Sequence, residues 1–145
     1  MLEVTVDKFT FRVPENLLFS DAGVWVEPHG ERARLGISDF AQQVSGDIAF
    51  ATVREAGTDL AIGEEFASIE TVKVNLELPS PVDARIVEIN PQLQDRPELI
   101  NQDPYENGWM AVVELRNSSS ALAGLLDARR YLQVVRTQAE TELKK

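Results

Sequence analysis

Apolar residues recur at every second position through most of the chain, and this alternation is the signature of half-buried strands. Val4 and Val6, then Phe9, Phe11 and Val13 before Pro14, predict an N-terminal strand or hairpin that precedes the main domain. Val24-Trp-Val26, Ala33 to Ile37, Ile48 to Val53 and Phe66 to Val72 read as further short strands, with breaks at Gly23, Pro28-His-Gly30, Gly57 and Gly63. Between them Ser38-Asp39 caps a short helix whose Phe40 and Val44 share one face, and Gly46 ends it. Short strands with frequent turns predict an all-β sandwich or barrel.

The second half continues in this way. Val74, Leu76 and Leu78, then Ala84 to Ile89, alternate with polar residues, and Trp109 to Leu115 forms the last strand. Pro97-Glu-Leu-Ile starts with the residue favoured at the first helical position, while Asp103-Pro104 and Asn107-Gly108 are turn dipeptides, so a loop with one helical turn is expected there. From Ser118-Ser-Ser120 onward the spacing of Leu122, Leu125, Leu126, Tyr131, Leu132 and Val135 becomes helical.

Composition narrows the class. At 145 residues the chain fits a single domain with a substantial core, and 43% hydrophobic and 26% charged residues are ordinary for a soluble globular protein. No long apolar run and no signal-peptide pattern occurs, so a cytoplasmic protein is expected. With no cysteine, disulfides, thiolate nucleophiles and cysteine metal sites are excluded, and redox chemistry would need a sulfur source other than a side-chain thiol. A net charge of −10 disfavours nucleic acid and anionic membrane as partners and suits proteins with basic surfaces. His29 is the only histidine and reads as part of a turn. Glu64-Glu65 lacks the ligand alternation of a calcium loop, Arg129-Arg130 reads as an exposed helix face, no glycine-rich phosphate loop occurs, and Trp25 and Trp109 read as core aromatics.

Lys73 stands apart. It is the only lysine between Lys8 and the terminal pair Lys144 and Lys145, and six acids from Glu55 to Glu77 surround this one amine in sequence. A modification site and an outward-facing strand lysine are both compatible with that isolation. Val72, Val74, Leu76 and Leu78 alternate with Lys73, Asn75 and Glu77 as in one uninterrupted strand, and no Gly or Pro lies within two positions of Lys73.

Four blocks in register resemble the glycine cleavage system H-protein family. Leu35-Gly-Ile-Ser and the Gly46-Asp47 that follows resemble its Leu-Gly-Ile-Thr block, and Glu70-Thr-Val-Lys73 resembles its lipoylation motif Glu-Ser-Val-Lys. Pro97-Glu-Leu-Ile-Asn-Gln-Asp-Pro-Tyr-Glu-Asn-Gly-Trp109 resembles its Pro-Glu-Leu-Val-Asn, Asp-Pro-Tyr and Gly-Trp signature, and Leu125-Leu-Asp-Ala-Arg-Arg-Tyr131 its C-terminal helix. The likeness spans about Val13 to Tyr131. It implies a mainly β barrel-sandwich hybrid of the lipoyl/biotinyl type, with short helices and a C-terminal helical segment. A single lipoyl-carrier domain over 1–145 would then comprise an N-terminal extension at 1–12, a β hybrid core at 13–116 and a helical segment at 118–145.

The resemblance also implies chemistry. Lys73 would occupy an exposed hairpin turn and carry lipoic acid in amide linkage, with Glu70 and Val72 read by the lipoylating enzyme; a solvated strand carboxylate is the other reading of Glu70. The protein would be a non-catalytic carrier shuttling the aminomethyl group of glycine. Its partners would be a pyridoxal-phosphate glycine decarboxylase, an aminomethyltransferase and dihydrolipoamide dehydrogenase, with a lipoate ligase or octanoyltransferase for loading. Phe19-Ser-Asp-Ala-Gly-Val-Trp25 departs from the family by placing Gly23 and Val24 where histidine and glutamate are expected. An H-like lipoyl carrier for another pathway, such as lipoate-dependent sulfur oxidation, and an unmodified degenerate scaffold are the alternatives. A biotin carrier is disfavoured because Val72 and Val74, not methionines, flank the lysine.

Overall fold

A computed structural model describes residues 1–143. The chain forms eleven strands among these residues, joined throughout by antiparallel pairing. β1 (Leu2–Val6) and β2 (Phe9–Val13) make a separate hairpin. β3 (Leu18–Phe19), β4 (Val24–His29), β5 (Arg32–Ile37), β7 (Asp59–Leu60), β10 (Ala84–Ile89) and β11 (Ala111–Leu115) form a six-stranded sheet in the order β3-β4-β5-β11-β10-β7. β6 (Ile48–Val53), β8 (Glu65–Thr71) and β9 (Asn75–Pro79) form a three-stranded sheet in the order β6-β8-β9.

Inward-facing positions of both sheets share one apolar core. Val26, Leu35 and Val113 of the larger sheet and Ile48, Phe66 and Ile69 of the smaller one belong to it. β4 is buried on both faces, because Trp25, between Val24 and Val26, points instead into a second cluster with Phe11, Phe40, Tyr131 and Val135. That cluster joins the β1–β2 hairpin to α1 (Asp39–Ser45) and α3 (Ala128–Leu143). α1 starts as its sequence dictates: the Ser38 hydroxyl accepts from the Ala41 N–H at 3.1 Å, and the Gly46 N–H closes the far end on the Gln42 carbonyl at 3.1 Å. A short α2 (Leu99–Gln102) follows Pro97. No helix among the described residues is long and apolar enough to cross a membrane.

Three expectations give way. The helix does not begin at Ser118: residues 118–127 form turns and a bridge, because Leu126 pairs with Phe19 through two backbone hydrogen bonds of 2.8 and 2.9 Å. Leu122 and Leu125 pack on the inter-sheet core while Tyr131 and Val135 face the second cluster, so the helical spacing spans two unlike segments. Residues 144 and 145 of that expected segment lie outside the described residues. The last strand starts at Ala111, leaving Trp109 only partly buried at the edge of the second cluster. β4 runs through Pro28 and His29, where a turn is expected, because β3 begins only at Leu18, opposite Val26, and no neighbour beyond it needs the missing proline N–H.

Candidate functional site

Lys73 lies in the turn between β8 and β9, at the free end of the three-stranded sheet. The last pair of the hairpin ladder is Glu70 with Asn75, and Thr71 closes the tip by donating its N–H to the Val74 carbonyl at 2.8 Å. Tight two-residue hairpin turns usually need a left-handed residue, and hence Gly, Asn or Asp. None is present here. Instead the Thr71 hydroxyl oxygen accepts the N–H groups of Lys73 at 3.1 Å and Val74 at 3.0 Å, and its own proton faces the Val74 carbonyl at 3.2 Å. Thr71 is itself buried, so a side chain replaces the backbone partners of the turn and fixes the lysine's position. Sequence reading missed this residue. The available signal was its hydroxyl two residues before the lysine.

The side chain of Lys73 reaches back to the end of α1. Its Nζ donates to the Val44 carbonyl at 3.1 Å, in the last turn of the helix, where backbone carbonyls lack helical partners and the helix dipole favours a cation. That helix end is held in turn by Asn101, whose Nδ2 donates to the Gln42 side chain at 3.0 Å and the Gly46 carbonyl at 2.9 Å, while its Oδ1 accepts from the Ile48 N–H at 3.0 Å. The asparagine of the Pro97–Trp109 block thus ties α2, α1 and β6 together behind the lysine. No carboxylate is ion-paired with Lys73 among the described residues, although acids crowd the surrounding sequence.

A cavity of about 330 Å³ opens beside this helix end, lined by Ala22, Gly23, Val44, Leu76, Tyr131 and Thr137 among others. Its wall explains the departure at Gly23 and Val24. Gly23 has a φ of +88°, and a Cβ there would lie 3.3 Å from the Tyr131 hydroxyl. Val24 is fully buried between the sheets. Tyr131 and Ser38 share a 2.7 Å hydrogen bond across the join of α1 and α3, and burial pushes the Tyr131 phenol up to about 12. Tyr105 is likewise raised by burial; it donates to the Arg12 carbonyl at 2.6 Å and accepts from the Asp39 N–H at 2.9 Å, fastening the N-terminal hairpin to α1.

The other expected site residues fall beside the lysine. Val72 is 99% exposed at the tip, and the exposed Glu70 sits one ladder row below it, between Phe50 and Asn75. His29 is exposed at the far end of β4 and bonds Glu27 at 3.1 Å. The arrangement can present one amine to an external enzyme. Lys73 meets the chemical needs of a lipoyl anchor: its amine is exposed, it is engaged by a carbonyl and not a charge, and acylation would leave an amide N–H that can still donate to Val44.

Comparison with known proteins places these features in a family. Residues 17–138 match the family described as Glycine cleavage H-protein. A glycine cleavage system H protein of Brevibacillus brevis is 43% identical over 123 residues, covering 85% of this chain and 97% of that protein. The H protein of Bacillus subtilis is 41% identical over 119 residues, covering 82% of this chain and 93% of that one. The crystal structure of a glycine cleavage system H protein from Mycobacterium marinum superposes with a TM-score of 0.75 at 28% identity, covering 83% of this chain and 97% of that chain.

Proposed function

The chain belongs to the glycine cleavage H-protein family, and from that premise we propose that Lys73 is its lipoyl attachment site. The protein is a non-catalytic lipoyl carrier of the glycine cleavage system. The observation that carries the assignment of the site is the turn itself: a solitary exposed lysine whose backbone is held by the Thr71 hydroxyl at the end of the three-stranded sheet. Lipoic acid, when bound, supplies the redox-active sulfur pair that a chain without cysteine lacks.

The chain's own residues do the positioning. Thr71 fixes the backbone from which the arm would spring, and Asn101 holds the helix end against which its base would lie. Val44, Gly46 and Leu76 flank the lysine stem or the cavity next to it and would border the start of the arm. A fixed attachment point on a mobile arm suits a carrier that serves several enzymes in succession. These would be the pyridoxal-phosphate glycine decarboxylase, the aminomethyltransferase and dihydrolipoamide dehydrogenase, after loading by a lipoate ligase or octanoyltransferase that reads Glu70 and Val72.

Reconstitution tests this. Lipoylated protein mixed with glycine, glycine decarboxylase, aminomethyltransferase, tetrahydrofolate, dihydrolipoamide dehydrogenase and NAD+ is expected to support glycine-dependent NADH formation, and the Lys73→Ala protein none. Equal NADH formation by Lys73→Ala would reject the site. Full lipoylation of Lys73 without NADH formation would move the protein to another lipoate-dependent system.

A further inference from the structure

The outer face of the β6-β8-β9 sheet carries a side chain that folding does not explain. Phe50 is 64% exposed, and its cross-strand partner is Glu70. Phe50 stands beside the β-bulge at which the β6–β8 register shifts, and its exposed aromatic ring, of the kind that anchors interfaces, is open to an external partner. The rows Phe50-Glu70-Asn75 and Thr52-Ser68-Glu77 point to the same side, by the two-residue period of strands, and line a shallow groove of about 660 Å³. The groove also meets Glu65, and no arginine or lysine lines it. None of Glu65, Glu70 and Glu77 is in an ion pair among the described residues.

We propose that this face is the docking surface for the enzyme that acylates Lys73, with Phe50 as its apolar anchor and Glu70 and Glu77 as charges read by a basic rim. The inference rests on Lys73 being the acylated residue. Reach selects the occupant. An enzyme that serves the finished arm can dock at the arm's length from the turn, but the acylating enzyme must bring its reactive centre to the bare Nζ. Its footprint therefore includes the rows next to the tip, and the Phe50 row is the first below it. In the transfer, the Lys73 amine attacks the carbonyl carbon of an acyl-adenylate. A C–N bond forms, the C–O bond to the phosphate breaks, AMP leaves with the electron pair, and the nitrogen loses a proton. No residue of the groove takes part in that chemistry; they set where the enzyme sits.

The test is the rate of acylation of unmodified protein by a lipoate–protein ligase with ATP and lipoate, read by intact mass. Phe50→Ala is expected to lower kcat/KM about tenfold, mainly through KM, and Phe50→Leu to recover most of it. Ile62→Ala removes a side chain of similar exposure (61%) away from this face and should leave the rate unchanged. The paired substitution Glu70→Gln with Glu77→Gln should flatten the fall of kcat/KM with added salt. Thermal midpoints of all variants are expected to match the wild type, which separates docking from folding. Wild-type rates in Phe50→Ala overturn the inference alone. If the wild-type protein gains no acyl group at all, the assignment of Lys73 falls and this inference with it.

Discussion

Replacing Thr71 with valine separates the hydroxyl from the space it fills. Valine has nearly the same shape, so the buried position keeps its packing and its strand preference. What disappears is the acceptor of the Lys73 N–H at 3.1 Å and the Val74 N–H at 3.0 Å; the backbone bond from Thr71 to Val74 at 2.8 Å is retained. A hydrogen bond contributes about 0.5–1.5 kcal/mol net, and two N–H groups at an exposed tip can turn to water, so the local loss is about 1–2 kcal/mol. That is a factor of roughly 5–30 in the opening of the turn. Amide hydrogen exchange of Lys73 and Val74 should accelerate by that factor, while the amide of Ile69, deeper in the same strand, stays as protected as before. Thr71→Ser keeps the oxygen and should exchange within about twofold of wild type, because the same acceptor remains. Unchanged exchange at Lys73 and Val74 in the valine variant would refute the account of the turn.

Lys73→Ala removes only an exposed amine on the Val44 carbonyl, so it should cost less than ~1 kcal/mol and lower the thermal midpoint by no more than about 4 °C; a much larger drop would contradict a lysine that the fold does not use. Gly36→Ala should do the opposite. A Cβ there would lie 2.5 Å from the indole carbons of Trp25, which is fully buried and donates through Nε1 to the Pro104 carbonyl at 2.9 Å. Overpacking with strain on that bond should cost about 2–4 kcal/mol, and an unchanged urea midpoint would show that the ring has room to move. Stability should also fall in alkali. Tyr131 is raised to about 12 by burial, whereas an unfolded tyrosine titrates near ~10. Between those values the unfolded chain holds fewer protons than the folded one, so the contribution is complete below about pH 10 and is lost as the pH rises towards 12. Denaturant titrations across this window should show a shallower decline for Tyr131→Phe than for wild type; identical slopes would contradict a neutral, buried phenol.

The parts of this molecule legible in the sequence are those where one local rule operates without competition. Phe11 and Val13 alternate with exposed neighbours because one face of their hairpin packs in the cluster with α3, and Ser38 and Gly46 bracket α1 with hydrogen bonds that their residue types announce. β3 and β7 contain two residues each, too few to display a period. The stretch from Ser118 to Leu126 misleads because Leu125 and Leu126 serve different clusters, and only the pairing of Leu126 with Phe19 reveals the break. At the site, resemblance located the lysine in a turn that propensity could not see. The Val72-Lys73 loop holds no turn residue because the Thr71 hydroxyl closes the hairpin, and a side-chain hydrogen bond leaves no mark on hydrophobic periodicity. Asn101 was legible as part of a block, but its three bonds to α1 and β6 depend on chain segments distant in sequence.

The most direct test of the central claim is peptide mapping by mass spectrometry of the protein produced in lipoate-supplied cells that contain a lipoylating enzyme. A single lipoyl or octanoyl increment on the peptide that contains Lys73, absent from the Lys73→Ala protein, is the predicted result. An unmodified Lys73 peptide alongside a fully modified control H protein from the same cells would contradict it.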